Sequence, residues 1–234
     1  MINIYPGDSR YYANHGWLKT YHSFSFAEYY DPKNMNFGPL RVLNDDIVAP
    51  KRGFGMHPHK EMEIVTIVLE GELRHEDSTG ETATTTFGGI QRMSAGTGIF
   101  HSEVNPSKTE EVNLLQLWFL PEQYGLKPSY EKTTYDIKKM KNNLLPVVTK
   151  NPTSKDIAHI HQDLTIYLSE LESGHSIDFK QKKVRRTFLF VIEGEVTINE
   201  NETLKKRDSA RITEEEALLL KTNSGAKFML IDLP

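Results

Sequence analysis

Residues 53–72 read GFGMHPHKEMEIVTIVLEGE: two histidines and a glutamate lead into an apolar, β-branched run that closes on Glu-Gly-Glu. In an extended strand, residues two apart point to the same face, so His57 and His59 project together. Glu63 shares their parity if the strand runs on without a bulge. Two converging imidazoles begin a metal site, because a neutral ring nitrogen is a good ligand for first-row divalent ions. A second pair lies downstream in 88-GGIQRMSAGTGIFHSEVN-105, where His101 and Glu103 again sit two apart, after a turn at Gly96 and Gly98. Adjacent or facing strands of a small barrel would bring both pairs inward. Three imidazoles and one carboxylate would then surround an ion, with positions left for water or substrate.

Outward from this stretch, apolar runs are short and separated by Gly, Asn, Asp, Ser and Pro, as in LRVLND (40–45), VNLLQLWFL (112–120) and KFMLIDL (227–233). That spacing predicts antiparallel sheets in a sandwich or barrel. The one helical pattern lies around Tyr135 to Asn142. The stretch 65-VTIVLEGELRHEDSTGE-81 returns as 188-FLFVIEGEVTINENETL-204, each an apolar strand, a Glu-Gly-Glu bend and a second strand. An internal repeat of this kind predicts two copies of one β-barrel: an N-terminal barrel with the metal site over 1–125, a connection over 126–155, and a C-terminal barrel over 156–234, with exchange of terminal strands between them as an option. Aligning Gly71 with Gly194 sets Lys180, Lys182 and Arg186 opposite His57, His59 and Glu63, and Ser224 opposite His101. No first-row metal site can form from these, so the C-terminal barrel is expected to be metal-free.

Composition closes off other classes. The chain has 234 residues, a formal net charge of -4 and no cysteine. There is no basic stripe for a phosphate backbone, so no direct nucleic-acid partner is expected. Without thiolates, any metal must be held by His, Asp or Glu. No apolar segment reaches the roughly 18 residues of a membrane span, and the N-terminus lacks a basic-then-apolar leader. These features predict a cytoplasmic protein. His15, His22, His75, His159, His161 and His175 are read as ordinary surface or hydrogen-bonded residues. Residues 22-HSFSFAEYYDP-32 are read as an N-terminal strand. Gln116, inside an apolar run, is either a satisfied buried amide or a pocket hydrogen-bonder.

The two histidine stretches resemble the first and second cupin motifs. Together with 14-NHGWLKTYHSFSFAEYYDP-32 they resemble more closely the pirin family of bicupins, above all its bacterial members with quercetin dioxygenase activity. The resemblance implies an all-β bicupin with two antiparallel barrels of jelly-roll type and few short helices. Pirins take their carboxylate from the residue two after the third histidine, so it implies His57, His59, His101 and Glu103 as the metal ligands, with Glu63 as the rival carboxylate. It implies one divalent metal per chain, Fe(II) first, with Mn, Co, Ni, Cu or Zn also suited to the donor set. The implied reaction cleaves the central ring of a flavonol such as quercetin with O2 and releases carbon monoxide, Glu103 acting as ligand and general base. Phe54 and Lys60 match pirin positions near the metal and, with Gln116, are expected to contact substrate. Two alternatives stand beside this: a metal-bound regulatory module with protein partners, and a dioxygenase for a different substrate. The oligomeric state stays open.

Overall fold

A computed structural model describes residues 1–234. The chain is built of short antiparallel strands, with helical turns only at Gly7–Ser9 and Ile137–Met140. The helix expected around Tyr135 to Asn142 is thus a single 3-10 turn. Asp136 caps it by accepting from the Lys138 backbone N–H at 3.0 Å, and Asn142, left-handed at φ 49°, ends it. No helix is long and apolar enough to cross a membrane.

The chain divides into two compact units. One holds residues 11–135 and 150–162, the other residues 1–10, 136–149 and 163–234. This division interleaves the chain more than the boundaries expected from sequence. Ile2–Tyr5 pairs with Ser209–Thr213 in the second unit, and Ser129–Thr134, expected in the connection, pairs with Gly89–Ser94 in the first. The physical reason is that each segment satisfies backbone groups along a strand that would otherwise be an open edge.

In the first unit a seven-stranded sheet runs in the order 129–134, 89–94, 63–70, 112–119, 40–48, 18–22, 11–14, and a four-stranded sheet in the order 53–59, 99–104, 72–77, 82–86. The two sheets share an apolar core: Val68, Leu114, Val48 and Leu18 from the larger pack with Leu73 and Phe54 from the smaller. In the second unit, Arg186–Ile198 passes through both layers. Its first half pairs with Ser209–Thr213 and Ala226–Leu233, its second half with Glu202–Lys205. Phe228, Leu230, Leu189 and Val191 pack there against Phe179, Leu218 and Leu220.

The Glu-Gly-Glu repeat has the same geometry in both units. Gly71 and Gly194 have φ of 78° and 76°, and a Cβ on either would lie within 2.6 Å or 2.0 Å of a backbone carbonyl oxygen. Only glycine combines that dihedral with that approach. The ladder shifts register by one residue at the same place in each, between Val68 and Glu70 and between Val191 and Glu193.

Candidate metal centre and its cavity

The strands 53–59 and 99–104 set His57 directly opposite His101, and a bulge between His101 and Glu103 brings Glu103 opposite Phe54. A bulge re-aims side chains locally. The rings of His57, His59 and His101 converge with centroids 4.4–4.8 Å apart. Their ligand atoms lie within 4.8 Å of one another, as do those of His75, His101 and Glu103.

The surrounding hydrogen bonds fix which ring nitrogens face inward. His57 Nδ1–H donates to the Gly55 carbonyl at 2.7 Å, which leaves Nε2 as a lone pair. Asp77 accepts from His75 Nε2 at 2.8 Å, so His75 Nδ1 is an acceptor and receives His101 Nδ1–H at 3.4 Å. His101 Nε2 is therefore also a lone pair; it is buried and meets no hydrogen-bond partner. Carboxylate–histidine chains of this type orient metal-ligating imidazoles. Tyr130 stacks on His75 at 4.1 Å and holds the ring in place.

Electrostatics keep the His59, His75 and His101 rings neutral. Burial, reinforced by His57, pushes His59 down to about 4, and burial with three neighbouring histidines pushes His101 lower still. Burial also holds His75 below its ordinary value against the pull of Asp77. Desolvation disfavours the charged form of an imidazole, and a neutral imidazole is the ligating form. Glu103 is buried, and its pKa is pushed up to about 7 by desolvation, against hydrogen bonds from Gln116 and Thr66. Gln116 Nε2 donates to Glu103 Oε2 at 2.6 Å and Thr66 Oγ1 to Oε1 at 3.3 Å. The donor set, with an orphaned nitrogen aimed into a cluster of imidazoles, fits a first-row divalent ion.

A cavity of about 310 Å³ opens beside the cluster, lined at this end by His57, His59, Glu103 and Gln116. That is at the small end of the roughly 300–1,000 Å³ found for small-molecule sites. Its walls are mainly apolar, from Leu18, Phe26, Phe54 and Trp118. Trp118 packs edge-on against His59 and donates through Nε1 to Gln116 Oε1 at 3.1 Å, which orients the amide toward Glu103.

Of the residues expected from sequence, His57, His59 and His101 come together, Glu103 groups with His101 and His75, and Phe54 and Gln116 line the cavity. Lys60 is exposed at the end of its strand and lies outside the cavity lining. Glu63 lies elsewhere. The chain turns at Glu61, whose φ is 49°, so that 53–59 and 63–70 belong to different sheets and the parity argument fails. Three positions before Thr66, Glu63 points to the opposite face of its strand from the residue that serves Glu103. There Oε1 accepts from Ser94 Oγ and the His161 backbone N–H, and Oε2 accepts from the Gln162 N–H. Its role is to fasten the 150–162 segment. His161 completes that contact through Nδ1 at 3.0 Å, and the His159–His161 pair joins neither cluster.

Sequence reasoning missed His75, read as ordinary but buried between Asp77 and His101. It also missed His15 and His22, which line the cavity. The strand expected over 22–32 stops at His22; beyond it Ala27 is left-handed at φ 49° and Phe26 turns into the cavity wall. A usable signal was the HED triplet at 75–77, whose alternation places His75 and Asp77 on one face.

Comparison with known proteins gives a consistent set of relatives. The Pirin family profile matches residues 7–119, and that of the quercetinase C-terminal cupin domain matches residues 147–233. The quercetin 2,3-dioxygenase of Escherichia coli K12 is 42% identical over 238 residues, covering 100% of this chain and 99% of that protein. A pirin-like protein of Caulobacter vibrioides is 36% identical over 232 residues, covering 99% of each chain. The bacterial pirin YhhW of Escherichia coli, solved in complex with nickel(II), superposes with a TM-score of 0.94 at 40% identity, covering 100% of this chain and 99% of that one.

Proposed function

Because the chain belongs to the pirin family of all-β bicupins, we propose that it is a metal-dependent dioxygenase that cleaves the central ring of flavonols such as quercetin with O2 and releases carbon monoxide. The carrying observation is the cluster of three converging imidazoles, one of them shared with a group that holds a buried carboxylate, at the end of an aromatic-walled cavity. The names of the relatives support it: one is a quercetin 2,3-dioxygenase, another a pirin holding nickel(II).

In this reading His57, His59, His101 and Glu103 hold one divalent ion per chain, with Fe(II) the first candidate. When bound, such an ion would supply the Lewis acidity that lowers the pKa of the flavonol 3-hydroxyl and would mediate electron transfer from the deprotonated flavonol to O2. The remaining work falls to the protein. Glu103, a carboxylate beside the coordination site, takes the 3-hydroxyl proton as general base. Gln116, itself held by Trp118, aims the carboxylate. Phe54, Phe26 and Trp118 clasp the flat ring system and exclude water.

The test is aerobic incubation of the protein, loaded in turn with Fe(II), Mn, Co, Ni, Cu and Zn, with quercetin. Oxygen uptake, loss of flavonol absorbance and carbon monoxide release in equal amounts are expected with at least one ion. Metal loading without oxygen uptake on any flavonol would overturn the reading and favour a binding module or another substrate.

A further inference from the structure

The inner face of the seven-stranded sheet carries a row of polar side chains in direct register across four strands: His22, Asn44, Gln116 and Thr66. Buried polar groups are destabilising unless they are hydrogen-bonded. Half of this row is satisfied, since Thr66 and Gln116 both donate to Glu103. The other half is not. His22 Nδ1 and Asn44 Oδ1 meet no partner, while Thr20 and Asp46, the neighbouring cross-strand pair on the same two strands, face each other, the Thr20 hydroxyl acting on the Asp46 carboxyl. Thr20, His22, Asn44 and Asp46 are only 3%, 4%, 3% and 2% exposed, so bulk water does not serve them, yet all four line the cavity.

The atoms that these four side chains turn to the cavity are acceptors, apart from the threonine hydroxyl and the ring nitrogen, which work either way. The partner they call for is an edge carrying several hydroxyl donors. Leu18, Phe26, Phe54 and Trp118 complete the walls, which suit a flat aromatic body and not a hydrated cation. We propose that Thr20, His22, Asn44 and Asp46 form the recognition subsite for a hydroxylated aromatic ring of the substrate, the ring remote from the histidine cluster. The inference rests on the flavonol reading for what occupies the metal end, and it makes polyhydroxylated phenolics the substrate class. These four residues then set specificity, because a site built to bond hydroxyls rejects an analogue that lacks them.

The experiment uses the metal-loaded full chain without oxygen, so that nothing turns over, and titrates it calorimetrically with quercetin and with 3-hydroxyflavone. The second ligand keeps the 3-hydroxy-4-keto edge but has no hydroxyls on its outer rings. The wild type should bind quercetin about tenfold or more tightly than 3-hydroxyflavone, the scale of one or two hydrogen bonds to buried groups. Asp46→Asn and, separately, Asn44→Leu should shrink that ratio to within about threefold by weakening quercetin, leaving 3-hydroxyflavone within about twofold. Equal weakening of both ligands, an unchanged ratio, or binding of neither by the wild type would overturn the subsite. Discrimination that holds while the aerobic protein consumes no oxygen would sink the dioxygenase reading and leave the subsite standing.

Discussion

Five positions before the glycine of its Glu-Gly-Glu bend, each unit places a cross-strand pair at the centre of its core. In the first unit the pair is Thr66 and Gln116; in the second it is Leu189 and Leu230. Bend, bulge and strand order around the two pairs agree, so the polypeptide frame does not make a site. The difference lies in what the inner face carries. The second unit fills it with Leu189, Leu230, Val191 and Phe228, all fully buried. It gains burial of about 25 cal/mol per Å² of apolar surface and leaves no polar atom to satisfy. The first unit gives up part of that gain to seat a carboxylate, its two donors and a set of imidazoles.

The sharpest way to break this comparison is to count metal. One divalent ion per chain is expected, and His57→Ala or His101→Ala should lose most of it while circular dichroism stays that of a folded β protein. The affinity loss should exceed the roughly 10–100-fold seen when only an outer partner of a ligand is removed. Two tightly held ions per chain would mean that the second unit is not the inert copy described here.

The two buried glutamates of the first unit sharpen the comparison further. Glu103→Gln keeps the shape but cannot take a proton at neutral pH, so turnover of quercetin should fall roughly 10²-fold or more while much of the metal stays. Glu63→Gln should leave turnover nearly unchanged. It removes one oxygen from a carboxylate that accepts from Ser94, His161 and Gln162, and should lower stability by about 1–3 kcal/mol, read by urea denaturation. If Glu63→Gln strips the metal while Glu103→Gln turns over normally, the ligand assignment fails.

These two residues also show how far the sequence can be read. His57, His59, His101 and Glu103 are legible because each pair obeys the period of a strand and needs only that two strands be neighbours. Glu63 is illegible because one left-handed residue, Glu61, moves the chain into the other sheet and breaks the period. The repeat is legible in Gly71 and Gly194, whose dihedrals no other residue adopts cheaply. The interleaving of the units is not, because strands such as Ile2–Tyr5 carry no mark of which edge they will complete. The cavity wall is the least visible part. Thr20, His22, Asn44 and Asp46 alternate with Tyr21, Leu43 and Asp45 in a pattern that reads equally as a solvated face, and only the register across strands shows that they are enclosed.

A smaller effect is expected at Asp77, which lies across the strand pair from His101 and acts on it through its hydrogen bond with His75. Asp77→Asn removes the charge that fixes His75 with Nδ1 as acceptor, so His101 can turn its proton toward the cluster. Metal affinity should fall about 10–100-fold by competition with a chelator, with stoichiometry unchanged at saturating metal. An affinity equal to that of the wild type would show that packing against Tyr130 alone orients the chain of rings.

The smallest expected effect is one of stability, and it separates the two inner faces without any metal. Burial, with Asp45 and Glu103 nearby and the Thr20 hydroxyl working against it, pushes the pKa of Asp46 up from 3.8 to about 7. Below about pH 4 the carboxyl is protonated in both folded and unfolded chains and contributes nothing. Between about pH 4 and 7 the folded protein keeps a proton that the unfolded chain has released, so this group makes stability fall as pH rises; above pH 7 the loss is constant. Asp46→Asn abolishes that ionisation. It should raise the Tm of the metal-free protein at pH 8, by the equivalent of about 1–3 kcal/mol, with the gain shrinking steadily as pH approaches 4. No such titrating penalty arises from Leu189, Leu230, Val191 or Phe228, so the pH-dependent gain belongs to the first unit alone. A gain of the same size at every pH would show that Asp46 is not held in the unfavourable burial described here. A loss of stability at pH 8 would show that its carboxylate is satisfied in the free protein, and the case for a ligand at that position would fall with it.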